Sequence, residues 1–230
     1  MKGKSQGSNQ SSAPLGVTDF IATAYNTEAE WSLVAVKAPI DQVAAAFADF
    51  RKPKRWLRDV PRANAAEVDD VDSSLVSILQ TKGNPWTVVV RELFDVTEFG
   101  MNEVMLIAKT LSSKLKTRAI TFVAEDTSGA IAYDLFDGGK LLEHAEWEEG
   151  GSFFSFQSTL RKQPALDAVT QEFADEVFCR EGIYLPACYP KSDGEKVWLC
   201  VEKVSAGAVE RADLMDLGEQ EAGGDEDDDA

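Results

Sequence analysis

One histidine, His144, and three cysteines, Cys179, Cys188 and Cys200, are the residues of this 230-residue chain best suited to bind a metal or serve nucleophilic catalysis. Their spacing argues against both. No C-x-x-C pair is present, the cysteine count is odd, and a structural zinc site needs about four ligands. The cysteines are expected to be reduced and buried, because free cysteine packs as a small apolar residue. His144 is expected to be a surface or hydrogen-bonded side chain. No G-x-S-x-G elbow occurs, and Ser112-Ser113 falls inside a helical pattern, so no activated serine is expected. Paired carboxylates such as Glu125-Asp126 and Glu148-Glu149 are commonplace in a chain with 40 acidic residues. Asp137-Gly138-Gly139 lacks the following helix that a phosphate loop requires. No catalytic residue, metal ligand or cofactor is expected.

Charge recognition has stronger candidates. The segment FRKPKRWLRD, 50–59, carries Arg51, Lys52, Lys54, Arg55 and Arg58 in a protein of formal net charge -17. From residue 210 onward ten acids face Arg211 alone, and the run ends in Asp225, Glu226, Asp227, Asp228 and Asp229. These are the strongest opposite charge blocks in the chain. The five cations can complement a helix C-terminus, bind an external anion, or meet the acidic terminus in a transient contact screened beyond ~8 Å at physiological salt. They are expected to be at least half exposed. Lys109, Lys114, Lys116 and Arg118 form a second basic strip. The overall negative charge repels phosphate backbones, so the expected partner is a basic protein rather than nucleic acid.

The elements that must position these residues are legible from periodicity. The Ser-, Gly- and Gln-rich residues 1–15 read as a disordered arm, 16–209 as a single globular domain, and 210–230 as an acidic disordered tail. No apolar run approaches the ~20 residues that span a bilayer, and the N-terminus lacks the apolar core of a signal peptide, so a cytoplasmic location is expected. WSLVAV predicts a strand, and Asp41 is placed as the cap of a helix to Phe50 with Val43, Ala46, Phe47 and Phe50 on one face. SLVSILQT and PWTVVVREL predict a hairpin. Asn102 is placed as the cap of a second helix to Leu115. AITFVAED, AIAYDLFD and KLLEHAEWE predict an antiparallel meander, with turns at DTSG and DGG, and GGSFFSFQST predicts a further strand. A third helix is expected over Ala165–Arg180, stopping at Gly182, and KVWLCVEKV is expected as the last strand. The class is α+β, antiparallel sheet with about three packed helices and two βαββ-like halves as a possible layout.

VAVKAPIDQVAAAFADFRKPKRWL resembles the opening strand and helices of START-like ligand-binding proteins, with an alanine-rich helix after Ala38-Pro39 and then Pro53 and Trp56. That resemblance implies a helix-grip fold, and the second helix from Asn102 departs from it. His144-Ala-Glu146 and Pro186-Ala-Cys188 resemble the H-x-E and P-C-x-x-C elements of zinc deaminases, but Ala187 separates Pro from Cys and no second Cys follows at the required spacing. The expected function is a non-enzymatic protein-binding module, of the immunity or inhibitor type, that engages a basic partner. The alternative is a small-ligand-binding or hydrolytic domain with a pocket lined by Trp31, Trp56, Trp86, Trp147 or Trp198.

Overall fold

Alternating apolar residues build one broad antiparallel sheet. The computed structural model describes residues 22–24, 31–64, 74–90, 98–124, 129–148, 154–165, 171–183 and 206–218. The strands are β1 (Ala22–Ala24), β2 (Trp31–Val36), β3 (Arg55–Leu57), β4 (Arg62–Asn64), β5 (Leu75–Thr81), β6 (Thr87–Val90), β7 (Arg118–Ala124), β8 (Ala130–Asp137), β9 (Lys140–Glu148), β10 (Phe154–Ser158) and β11 (Val209–Asp216). Nine of them form the sheet in the order β10-β9-β8-β7-β2-β6-β5-β11-β3, and β1 pairs with β4 in a separate parallel ribbon. Strand β2 pairs with both β6 and β7, which joins the two predicted halves into one sheet.

Period-two alternation sends successive side chains of a strand to opposite faces, and both faces of this sheet are covered. On one side lie α1 (Ile40–Arg51) and α2 (Glu98–Leu115). Ile40, Val43, Ala44 and Phe47 of α1 and Val104, Ile107, Ala108 and Leu111 of α2 pack there on Val34, Val36, Val76, Ile78 and Val89. On the other side lies α3 (Gln171–Glu181), whose Phe173, Ala174, Val177 and Phe178 pack on Leu33, Phe122, Tyr133, Ala145 and Trp147. Phe122 meets Phe178 edge to face at 5.4 Å, and Trp147 meets Phe173 at 5.6 Å. Such pairs add about 0.5–1.5 kcal/mol beyond area burial. Helix α3 ends as expected at Gly182, which has φ +71°. Its N–H bonds the Cys179 carbonyl and the Ile183 N–H bonds that of Phe178, the two hydrogen bonds of a Schellman cap.

Several expectations are corrected. The cap of α1 is Pro39, whose carbonyl accepts from the Gln42 and Val43 amides, and Asp41 sits in the first turn. Helix α2 starts at Glu98, so Asn102 lies exposed inside it. The domain does not end at residue 209: β11 runs to Asp216 between β5 and β3, with Ala212, Asp213, Leu214 and Met215 buried. Charged as it reads, this segment enters the sheet because its buried carboxylate is fully bonded, as described below. Cys179 is exposed and disulfide-bonded, which corrects the expectation of three reduced, buried thiols. KVWLCVEKV and the acids Asp225, Glu226, Asp227, Asp228 and Asp229 lie outside the described residues.

Candidate functional site

Strand β9 carries polar groups to both faces of the sheet. Glu143, Ala145 and Trp147 point toward α3, while His144 and Glu146 lie beneath α2. A two-residue turn at Gly138 and Gly139, with φ +56° and +83°, joins β8 to β9. Beyond it the register pairs Asp137 with Lys140 and Phe136 with Leu141, then shifts by one residue at Leu135, so that Asp134 lies opposite His144 and Ala132 opposite Glu146. Directly opposed residues on one face have Cβ atoms about 5 Å apart. His144 Nδ1 is accordingly 2.9 Å from Asp134 Oδ1. The Asp134 carboxylate is steadied from β7, where Thr121 Oγ1 accepts the Asp134 amide at 2.8 Å and lies 3.4 Å from Oδ2. The hydrogen bond to Asp134 raises the His144 pKa above its ordinary value; burial opposes the shift, and the charges of Asp134 and Glu146 add to it.

These residues floor an open cleft of about 150 Å³. Asn102, Val104 and Met105 of α2 form one wall, and Thr121, Val123, Ala132, Asp134, His144 and Glu146 complete the lining. The Asp134–His144 pair has the geometry that fixes an imidazole and moves a proton at Nε2, and among the described residues the lining holds no thiol and one hydroxyl, that of Thr121, which is engaged with Asp134. Among the described residues no group of three or more His, Cys, Asp and Glu side chains is arranged to hold a metal ion.

On the opposite face, Glu143 is fully buried and saturated. Its carboxylate accepts from Tyr133 Oη at 2.8 Å, Ser158 Oγ at 2.7 Å, and Arg161 Nε and Nη2 at 3.0 and 2.9 Å. The Arg161 guanidinium lies 4.4 Å from the Phe173 ring centroid. Burial pushes the Glu143 pKa up, but the hydrogen bonds from Arg161, Ser158 and Tyr133 outweigh it and hold the carboxyl below its usual value. Burial, and then the Glu143 charge, push the Tyr133 hydroxyl upward.

No protein-family model, curated protein or solved structure matches the chain.

The basic segment is spent largely on the body's own acids. Arg51 departs from the expected exposure: its side chain is 14% exposed and pairs with Glu103 of α2 at 2.7 Å. Lys52 closes α1 in a left-handed conformation, φ +51°, and its Nζ binds Asp49 at 2.7 Å. Asp49 also binds Lys114, and these two cations, Lys114 first, hold its carboxyl down at about 2. Arg58 lies 4.2 Å over the Trp56 ring and 3.9 Å from Asp41. Lys54 and Arg55 are exposed, with Arg55 on β3 at the sheet edge. A short, cationic edge strand resists edge-to-edge pairing with another chain, which gives this segment a structural role. Beneath it, the buried Asp213 accepts from Trp56 Nε1, the Asp59 amide and both Nε and Nη2 of Arg211, at 2.9–3.1 Å. Arg211 reaches on to Asp41 at 2.9 Å.

Sequence reasoning treated His144 as a bystander and did not bring Asp134 to it. The signal that could have found the cleft is the H-x-E alternation of His144 and Glu146 on one face of a strand. Trp86 and Trp147 are 1% and 2% exposed and pack in the core on the α3 side of the sheet. No described helix is long and apolar enough to cross a membrane.

Proposed function

We propose that this chain is a protein-binding module for a basic partner. The observation that carries the reading is electrostatic: a net charge of -17 remains while much of the basic segment is neutralised by the protein's own carboxylates, so the surplus anionic charge is left to act outward. Such a surface steers association with cationic proteins and disfavours nucleic acid. In its concrete form the partner is a nucleic-acid-binding protein whose positive cleft this chain occupies, as an immunity or inhibitor protein would. The acids Asp225, Glu226, Asp227, Asp228 and Asp229 belong to the contacting charge; a transient contact of those acids with the basic segment would compete with Asp49 for Lys52 and with Asp41 for Arg58.

Affinity capture from native lysate tests this. Specifically retained proteins should carry net positive charge, elute with rising salt and be displaced by DNA. Retention without basic bias, or insensitivity to salt, contradicts the reading. A cytoplasmic location is part of it, and the disulfide at Cys179 counts against that location because reducing compartments keep thiols reduced. Thiol alkylation of protein harvested without reductant decides between them.

A second reading, a small-ligand domain, is favoured by the cleft under α2, although its lining is carboxylate, imidazole and aliphatic instead of tryptophan.

A further inference from the structure

The cleft under α2 contains polar groups whose bonding is incomplete. Glu146 has no hydrogen-bond or ion-pair partner among the described residues, and neither has Nε2 of His144. Asp134 and Glu146 bring two negative charges and His144 at most one positive charge. Among the described residues, neither α2, which contributes Asn102, Val104 and Met105, nor β7, which contributes Thr121 and Val123, adds a charged side chain to the lining. The floor therefore stays anionic whether or not His144 is protonated. The walls are aliphatic: Val104, Met105, Val123 and Ala132. The cleft is open and has a volume of about 150 Å³. A lysine side chain matches its lining, with a slender four-carbon stem for aliphatic walls and a compact ammonium for carboxylates, whereas an arginine ends in a wide planar fork.

Met105, which lines the cleft, is 37% exposed, and its neighbour on α2, Leu106, outside the lining, is 49% exposed; both are among the few large apolar side chains that the described surface leaves open. Methionine is unbranched and adapts to varied partners, and apolar side chains around a desolvated charged contact exclude water from it.

We propose that the cleft between α2 and strands β7, β8 and β9 is a socket for a lysine side chain of a basic protein partner. Glu146 and Asp134 receive the ammonium, the aliphatic walls flank the methylenes, and Met105 and Leu106 contact the chain that carries the lysine. The source of the lysine rests on the function proposed above; the chemistry of the socket does not.

His144 is the sole histidine, so its ring protons report on the cleft without further assignment. The full chain is titrated with Nα-acetyl-lysine methylamide and, separately, with the uncharged isostere Nα-acetyl-norleucine methylamide. The lysine probe should shift the His144 signals saturably in the millimolar range, and the norleucine probe should not. Glu146→Gln keeps the shape and removes one charge; it should weaken the lysine probe roughly fivefold, the value of an ion pair of about 1 kcal/mol, with an unchanged unfolding midpoint confirming the fold. Unmoved His144 signals, equal response to both probes, or full affinity in Glu146→Gln overturns the socket.

A capture experiment separates this inference from the proposed function. Glu146→Gln should lower retention of the basic partner from lysate. If the lysine probe binds but retention is unaffected, the partner's lysine is the wrong occupant and the site takes a free alkylamine. If the probe fails while salt-sensitive capture persists, the socket falls and the basic-partner reading stands.

Discussion

Glu143 and His144 are neighbours in sequence and sit on opposite faces of β9, yet they live in different chemistry. Glu143 is sealed under α3, and four protein donors satisfy its two oxygens. His144 is held at one nitrogen by Asp134 and stands in an open cleft beside Glu146, a carboxylate without a partner among the described residues. A buried charge that is fully bonded fixes structure, because removing any donor exposes the cost of desolvation. A half-bonded group beside solvent has little structural value and retains capacity for a ligand. The fully bonded carboxylate and the proposed socket thus lie on opposite sides of a single strand.

Mutations on the two faces should separate accordingly. Arg161→Ala leaves Glu143 buried without its bidentate partner and should cost about 3 kcal/mol in urea unfolding, the scale for breaking a buried ion pair. A loss below ~1 kcal/mol would place this pair with exposed ones and remove the contrast. Tyr133→Phe deletes one hydrogen bond to the same carboxylate and should cost about 1.5–2 kcal/mol, as expected for a bond to a charged group. His144→Ala should cost no more than about 1 kcal/mol, and only at low pH. Because folding raises the His144 pKa, its contribution is complete below the unfolded value of about 6.5 and is lost as pH rises through the folded pKa. Paired unfolding curves on either side of that range check the sign; a deficit that grew with pH would mean that the histidine is buried neutral. Lys52→Ala, on the exposed Asp49 pair, should change stability by less than ~0.5 kcal/mol.

Much of this arrangement was readable from the chain. Tight turn signals and alternation placed β5 with β6 and β7 through β9 in sequence and marked β10 as a strand, and the apolar face of α1 was visible in Val43, Phe47 and their neighbours. Three features were not readable, each because a non-local partner decides it. Strand β11 looks like the start of an acidic tail until Trp56, Arg211 and the Asp59 amide are brought to Asp213. The strand β3 is hidden in a run of cations because it is an edge strand, where polar residues are favoured. The cleft depends on one irregularity. Continued unshifted from the Gly138-Gly139 turn, the register would set Asp134 opposite Glu143; the shift at Leu135 sets it opposite His144 instead. A one-residue slip changes which face each side chain meets, and nothing local in AIAYDLFD announces the bulge.

The most direct test of the division between a sealed face and a receptive one is a crystal structure of the full chain with Nα-acetyl-lysine methylamide. The account predicts the ammonium between Glu146 and Asp134 under α2, with Tyr133, Glu143 and Arg161 on the other face unmoved. A probe bound elsewhere, or a cleft closed by a side chain of the protein itself, would contradict it.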